Sequence, residues 1–150
     1  AYWMETQTIK SMITKMSENN NMDLFIDFHG PGKFHPYFIV PLSVDLPFEE
    51  QRINRKIFFE VLNSKPLDKK ARLSQSMTQI YYSERSNYMD SPEVLSSSKW
   101  VTMNANNHTI SLTLEVNMNT PLSTFAGYHA EARVLGKAIS EYFSNNHHKK

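Results

Sequence analysis

The feature that most constrains this chain is a short apolar segment that ends on a histidine and is followed at once by a turn. Residues 23–28 (Asp-Leu-Phe-Ile-Asp-Phe) predict a buried strand, His29 comes next, and Gly30-Pro31-Gly32 interrupts regular structure. In open α/β sheets, ligands bind beyond the carboxyl ends of the strands. His29 therefore occupies a position where such a sheet places functional side chains, and the glycines allow the backbone to turn sharply there.

A second predicted strand, residues 110–116, carries an acidic residue near its carboxyl end. Its apolar side chains alternate with polar ones, so Ser111, Thr113 and Glu115 share one face. A carboxylate in so apolar a strand must be hydrogen-bonded, paired, bound to a metal or facing a water-filled cleft. If both strands belong to one parallel sheet, His29 and Glu115 converge on one pocket. A purely structural role stays open for each of them.

Composition limits the classes of partner. The chain has 150 residues, which suits one domain, and its net charge of +1 comes from 16 basic and 15 acidic side chains. This balance gives no electrostatic reason to expect nucleic acid or an anionic membrane as a partner. The chain has no cysteine, which excludes disulfides and thiolate metal ligands. No apolar run approaches the roughly 18 residues that a membrane span requires.

Three amphipathic helices are predicted around the strands. The first covers residues 5–18, the second opens at Pro47, and the third begins near Thr124, a residue type that favours the N-cap. On the second helix, Arg55 is expected in solvent. On the third, Gly136 is expected to fit through close packing of helix on sheet. The apolar stripes are Ile9, Met12, Ile13 and Met16; Ile53, Ile57, Val61 and Leu62; and Tyr128, Ala132, Leu135, Ile139 and Tyr142.

The order of the predicted elements indicates the fold class. A short strand is predicted at residues 37–40, and the segment 77–89 is ambiguous between strand and helix. The order is helix, strand, strand, helix, irregular segment, strand, helix. This order predicts an α/β fold with a mostly parallel or mixed sheet flanked by helices.

Three segments together resemble the zinc carboxypeptidase family, the carboxypeptidase A-like metallopeptidases. Phe25-Ile26-Asp27-Phe28-His29-Gly30 looks like the family strand that ends in the third zinc ligand. Ser111-Leu112-Thr113-Leu114-Glu115 looks like the strand that carries the catalytic glutamate. Thr124 through Ile139 looks like the helix that follows this glutamate. The order and rough spacing agree along most of the 150 residues.

The resemblance implies a zinc metallocarboxypeptidase that removes residues from the C-terminus of a peptide or peptide-like substrate. It implies that His29 binds Zn²⁺ and that Glu115 is the general base that activates water. Tyr88 is the best match to the family's mobile tyrosine, which hydrogen-bonds the substrate, and Tyr82 is a weaker match. Independently of the resemblance, Asp27 lies on the same strand face as His29 and is a candidate either for orienting its imidazole or for bonding a neighbouring backbone amide.

The chain departs from the family pattern in one respect. The family takes its first two zinc ligands from an H-x-x-E motif, and grips the substrate carboxylate with an Asn-Arg pair; neither is found before His29. Residues 1–150 are therefore expected to be the C-terminal portion of such a catalytic domain, with the remaining zinc ligands upstream. The start at Ala1 rather than methionine favours the same interpretation. We expect this chain alone to be inactive, to pair with the missing N-terminal half, and to be prone to self-association.

Two other functions stay open at this stage. One is a binding module that keeps the carboxypeptidase-like fold without catalysis, which the absence of H-x-x-E upstream would favour. The other is a zinc-dependent deacylase or amidohydrolase on the same fold, which the absence of an arginine clamp upstream would favour.

Overall fold

Four strands and four helices make up the part of the chain that the computed structural model describes, namely residues 3–29, 39–41, 48–64, 81–83, 96–115 and 124–145. In chain order the elements are α1 (Met4–Glu18), β1 (Leu24–His29), β2 (Ile39–Pro41), α2 (Glu49–Asn63), β3 (Tyr81–Ser83), α3 (Ser97–Asn104), β4 (Ile110–Glu115) and α4 (Phe125–Ser144).

The four strands form one mixed sheet in the order β1-β4-β2-β3. β1 pairs with β4 in parallel, and β2 pairs with β3 in parallel, whereas β2 and β4 are antiparallel. The chain therefore has a mixed α/β architecture, and the class predicted from the sequence is confirmed at this level. Parallel pairing of β1 and β4 requires a long connection between them, since a tight turn reverses the chain direction.

The main core lies between one face of the sheet and the helices α2 and α4. The alternation predicted for β4 is confirmed, because Ile110, Leu112 and Leu114 are buried on this face. Phe58 of α2 and Tyr142 of α4 pack edge to face with ring centroids 5.6 Å apart, a favoured arrangement of aromatic rings. The buried members of this core are Phe58, Phe59, Val61, Ile110, Leu112, Leu114, Leu135, Ala138 and Tyr142.

The opposite face of the sheet is covered by α1 and α3. A second, smaller core is formed by Ile13 of α1, Val101 of α3, and Met22, which lies between α1 and β1. Phe25 of β1 is partly buried and packs against this core. The sheet therefore lies between two layers of helices, as is usual for parallel strand pairs joined by helical crossovers.

The predicted apolar stripe of α1 is largely wrong. Ile13 is buried, but Ile9, Met12 and Met16 are exposed, so the two methionines do not fill the core as their spacing predicted. The only other buried residue of α1 is Ser17, whose hydroxyl donates to the Asn106 side chain at 2.9 Å. The helix therefore packs through a narrow face that is partly polar.

The expectation for Arg55 is also wrong, because its side chain is buried and donates a hydrogen bond to the carbonyl of Ser111. Two neighbours on α2 make similar contacts. Gln51 donates to the carbonyls of Thr102 and Asn106, at 3.0 and 3.2 Å, and Asn54 donates to another carbonyl of the same segment. α2 thus binds the backbone before and within β4 through a row of polar side chains, which an apolar stripe cannot predict.

None of the helices within the described residues is both long and apolar enough to cross a lipid bilayer.

Candidate functional site

The two residues singled out by the sequence are neighbours in the sheet. The register of β1 and β4 runs from Leu24 opposite Ile110 to His29 opposite Glu115. Both strands end at this pair, so residues 29 and 115 lie side by side at the carboxyl end of a parallel pair. On its other side, Glu115 is opposite Ile39 of the antiparallel strand β2. The carboxyl end of parallel strands is where open α/β sheets bind ligands.

The first turn of α3 lies against the same ends of β1 and β4. The hydroxyl of Ser97 donates to the carboxylate of Asp27 on β1. The hydroxyl of Ser98 lies 2.8 Å from the hydroxyl of Thr113 on β4. Asp27 and Thr113 are opposite one another in the register, two residues before the His29–Glu115 pair. α3 therefore contacts both strands next to the candidate site.

Asp27 was predicted to orient the imidazole of His29. Its carboxylate accepts a hydrogen bond from the Ser97 hydroxyl, and its role toward His29 stays a prediction. The N-terminal end of a helix carries a partial positive charge that favours a nearby carboxylate. This turn is itself capped, since the Ser96 side chain accepts a hydrogen bond from the Lys99 amide at 3.3 Å.

The opposite end of the same strands holds a buried polar cluster. His108 is buried, and its Nε2 lies 3.3 Å from the Asp23 carboxylate. The side-chain amide of Asn54 donates to the His108 carbonyl at 2.9 Å, and the Thr109 hydroxyl donates to the Met22 carbonyl at 2.7 Å. These contacts hold the segment just before β1, residues 22–23, against the segment just before β4, residues 108–109. From the sequence, no partner for His108 was evident.

The second predicted catalytic residue, Tyr88, lies outside the described residues. The weaker match, Tyr82, lies in β3, and its backbone is opposite Val40 of β2. Among the described strands, β3 is at the opposite edge of the sheet from β1. Residue 82 is therefore separated from β1 by the two strands β4 and β2.

A catalytic zinc ion requires about three protein ligands and one open position. Among the residues that the structure describes, no group of three or more His, Cys, Asp or Glu side chains is placed to hold a metal ion. At the carboxyl end of β1 and β4, the described sequence offers His29 as one imidazole donor and Glu115 as one carboxylate. This donor set does not make a complete zinc site by itself.

Comparison with protein-family models, with curated proteins and with solved structures found no match to this chain.

The helix α3 is a part of the site region that was not predicted from the sequence. The helix begins at Ser97, in a segment for which no element was predicted. The signal that could have located it is the run Ser96-Ser97-Ser98 before Lys99, because serine is a favoured N-cap residue. The amphipathic pattern is weak over the eight residues of this helix, so spacing alone did not identify it.

Proposed function

We propose that this chain forms part of a zinc-dependent metallocarboxypeptidase, a hydrolase that cleaves the C-terminal peptide bond of a peptide or peptide-like substrate. In this proposal the fold is the C-terminal portion of a zinc-carboxypeptidase-like domain. His29 is one of the metal ligands, Glu115 is the general base, and Tyr88 is a hydrogen-bond donor to the substrate.

The observation that carries the proposal is the register of β1 and β4. Residues 29 and 115 are 86 positions apart in the sequence, yet their backbones are directly opposite at the shared carboxyl end of two parallel strands. A metal ligand and a general base must act on the same water and the same carbonyl carbon, so they must be held close together. An arrangement of this kind is what the proposal requires.

Glu115 has a defined task in this proposal. A carboxylate accepts a proton from the attacking water and later passes it to the amine of the leaving residue. The glutamate must therefore be ionised when substrate binds.

The remaining zinc ligands must come from polypeptide outside the described residues, because His29 is one donor and about three are needed. We propose that this polypeptide covers apolar surface that is exposed here. Ile9 and Met12 of α1 are 55% and 59% exposed, and Phe28 of β1 is 62% exposed. β1 is at one edge of the sheet that the described strands form, so a further strand could be added beside it. Without that cover, the isolated chain is expected to self-associate.

The test compares Glu115→Gln with wild type in the full-length protein that contains this sequence. The amide keeps the shape of the side chain but cannot accept the water proton. We expect kcat for hydrolysis of a C-terminal residue to fall by about 10²- to 10⁴-fold, with KM little changed. Glu60→Gln, the same substitution at an exposed position of α2, is the matched control and should retain full activity.

Activity that survives Glu115→Gln would contradict the role of Glu115. A substrate pair then separates carboxypeptidase from deacylase. The carboxypeptidase proposal predicts cleavage of a peptide with a free C-terminal carboxylate and loss of cleavage when that carboxylate is amidated. Cleavage of an acylated amine that has no C-terminal carboxylate would favour the deacylase instead.

A further inference from the structure

The first turn of α3 is joined by side chains to two strands rather than one. Ser97 donates to Asp27 on β1, and Ser98 shares a hydrogen bond with Thr113 on β4 at 2.8 Å. The two strand residues are opposite one another in the register. The helix therefore contacts both members of one pair of opposite residues in β1 and β4. The next pair on the same face of these strands is His29 and Glu115.

Ser98 is held at its backbone as well as at its side chain. Its carbonyl accepts a hydrogen bond from the Ser111 hydroxyl at 2.7 Å and another from the Thr102 hydroxyl at 2.9 Å. Ser111 and Thr113 are both on β4, so α3 is attached to this strand at two successive positions of one face. Three attachments across two strands fix the position of the turn relative to the sheet.

β1 has a particular need for such attachments. It is at one edge of the sheet formed by the described strands, where the sheet order places it beside β4 alone. An edge strand has a ladder of backbone hydrogen bonds on one side, and strand ends open more readily than strand centres. The bond from Ser97 to Asp27 adds a second attachment close to the end of β1.

We propose that the first turn of α3 is a positioning device that keeps the carboxyl ends of β1 and β4 together, with Ser97 and Ser98 as positioning residues for His29 and Glu115. Its effect on catalysis rests on the function proposed above. Its effect on the strand ends does not, because that effect follows from the hydrogen bonds alone.

The test measures backbone amide hydrogen exchange in the 150-residue chain and in the variant S97A/S98A. We expect exchange to rise by roughly tenfold in the carboxyl halves of the two strands, residues 27–29 and 113–115. The amino halves, residues 24–26 and 110–112, should change little, because the cluster around His108 remains intact. Ser97→Thr and Ser98→Thr keep the hydroxyl groups and should restore slow exchange.

Ser96→Ala is the matched control. It removes the N-cap of α3, which lowers the melting temperature through loss of helix stability, but it leaves the hydroxyls of Ser97 and Ser98 in place. If Ser96→Ala opens the strand ends as much as S97A/S98A does, or if the double variant opens both halves of the strands equally, the positioning role is overturned.

Activity gives a separate result. In an active full-length protein, S97A/S98A should lower kcat more than it changes KM, because the substrate still binds while residues 29 and 115 are less well aligned. Unchanged kcat with faster exchange at the strand ends would overturn the catalytic part of the inference. Absence of activity in the wild type would contradict the proposed function, and the exchange experiment would still decide whether α3 holds the strand ends.

Discussion

Burial of Tyr142 in the main core makes the stability of the fold depend on pH. Its side chain is fully buried between α2, α4 and β4, with its ring against Phe58 and Phe143. Burial raises the pKa of the Tyr142 phenol above its usual range, and the nearby Asp23 carboxylate adds to the effect. The folded chain therefore keeps the phenol protonated at a pH where the unfolded chain loses that proton.

This shift predicts a loss of stability at high pH. Above about pH 10, unfolding releases the proton of Tyr142, so the free energy of unfolding should fall by up to about 1.4 kcal/mol per pH unit. Below pH 10 the residue makes no pH-dependent contribution. Urea denaturation of wild type and Tyr142→Phe at pH 8 and pH 11 measures the effect. The phenylalanine variant should lose less stability between these values, and equal losses in the two proteins would contradict the assignment.

At the scale of the helix, Gly136 lowers the stability of α4 relative to alanine at the same position. The sequence suggested that this glycine permits close packing on the sheet, but it is exposed, and a Cβ added there would meet nothing within 4 Å. Among the described glycines, none has a positive φ, so alanine fits the backbone. Gly136→Ala should raise the free energy of unfolding by about 0.5–1 kcal/mol.

Chemical denaturation of Gly136→Ala against wild type checks this prediction. Ala126→Gly, the reverse change at an exposed position of the first turn of α4, is a suitable companion and should destabilise the helix. A lower stability of Gly136→Ala would mean that position 136 is covered in solution, in agreement with the interpretation from the sequence.

The elements were predictable where one physical rule dominates. β4 alternates strictly, so Ile110 and Leu114 were assigned to the core from spacing alone. α1 was predicted within one residue of its observed start, but Met12 was placed in the core because a stripe of apolar residues does not reveal what covers it. Arg55 was misplaced for the opposite reason, since polar side chains on α2 are buried by hydrogen bonds to the backbone near β4.

The candidate site was predictable in part for similar reasons. Residues 29 and 115 were linked because each lies at or near the carboxyl end of a predicted strand, and the structure places them opposite one another in a parallel pair. The contribution of α3 was not predictable, because an eight-residue helix depends on tertiary packing more than on its own sequence. Its contacts to Asp27 and Thr113 join residues 70 and 15 positions apart, and no local pattern encodes such distances.

At the scale of the whole molecule, the two ends of the parallel pair have different characters. The amino end is fastened by buried polar contacts around His108 and Asp23, whereas the carboxyl end brings His29 and Glu115 together. Ligand sites of α/β sheets generally lie at the carboxyl ends of the strands, which is where the proposed site is placed. The proposed function depends on the juxtaposition of residues 29 and 115 at the carboxyl end.

Cross-linking tests that juxtaposition most directly, because the chain contains no native cysteine. The backbones of neighbouring strands lie about 4.8 Å apart, so the variant H29C/E115C should be joined rapidly and within one chain by a short thiol-to-thiol reagent. The control H29C/N107C places the second thiol before β4, whose first residue is already five positions, or roughly 16 Å at 3.3 Å per residue, from position 115; this pair should react slowly. Rapid cross-linking of the first pair alone is the predicted result, and failure of H29C/E115C to react faster than the control would contradict the shared site.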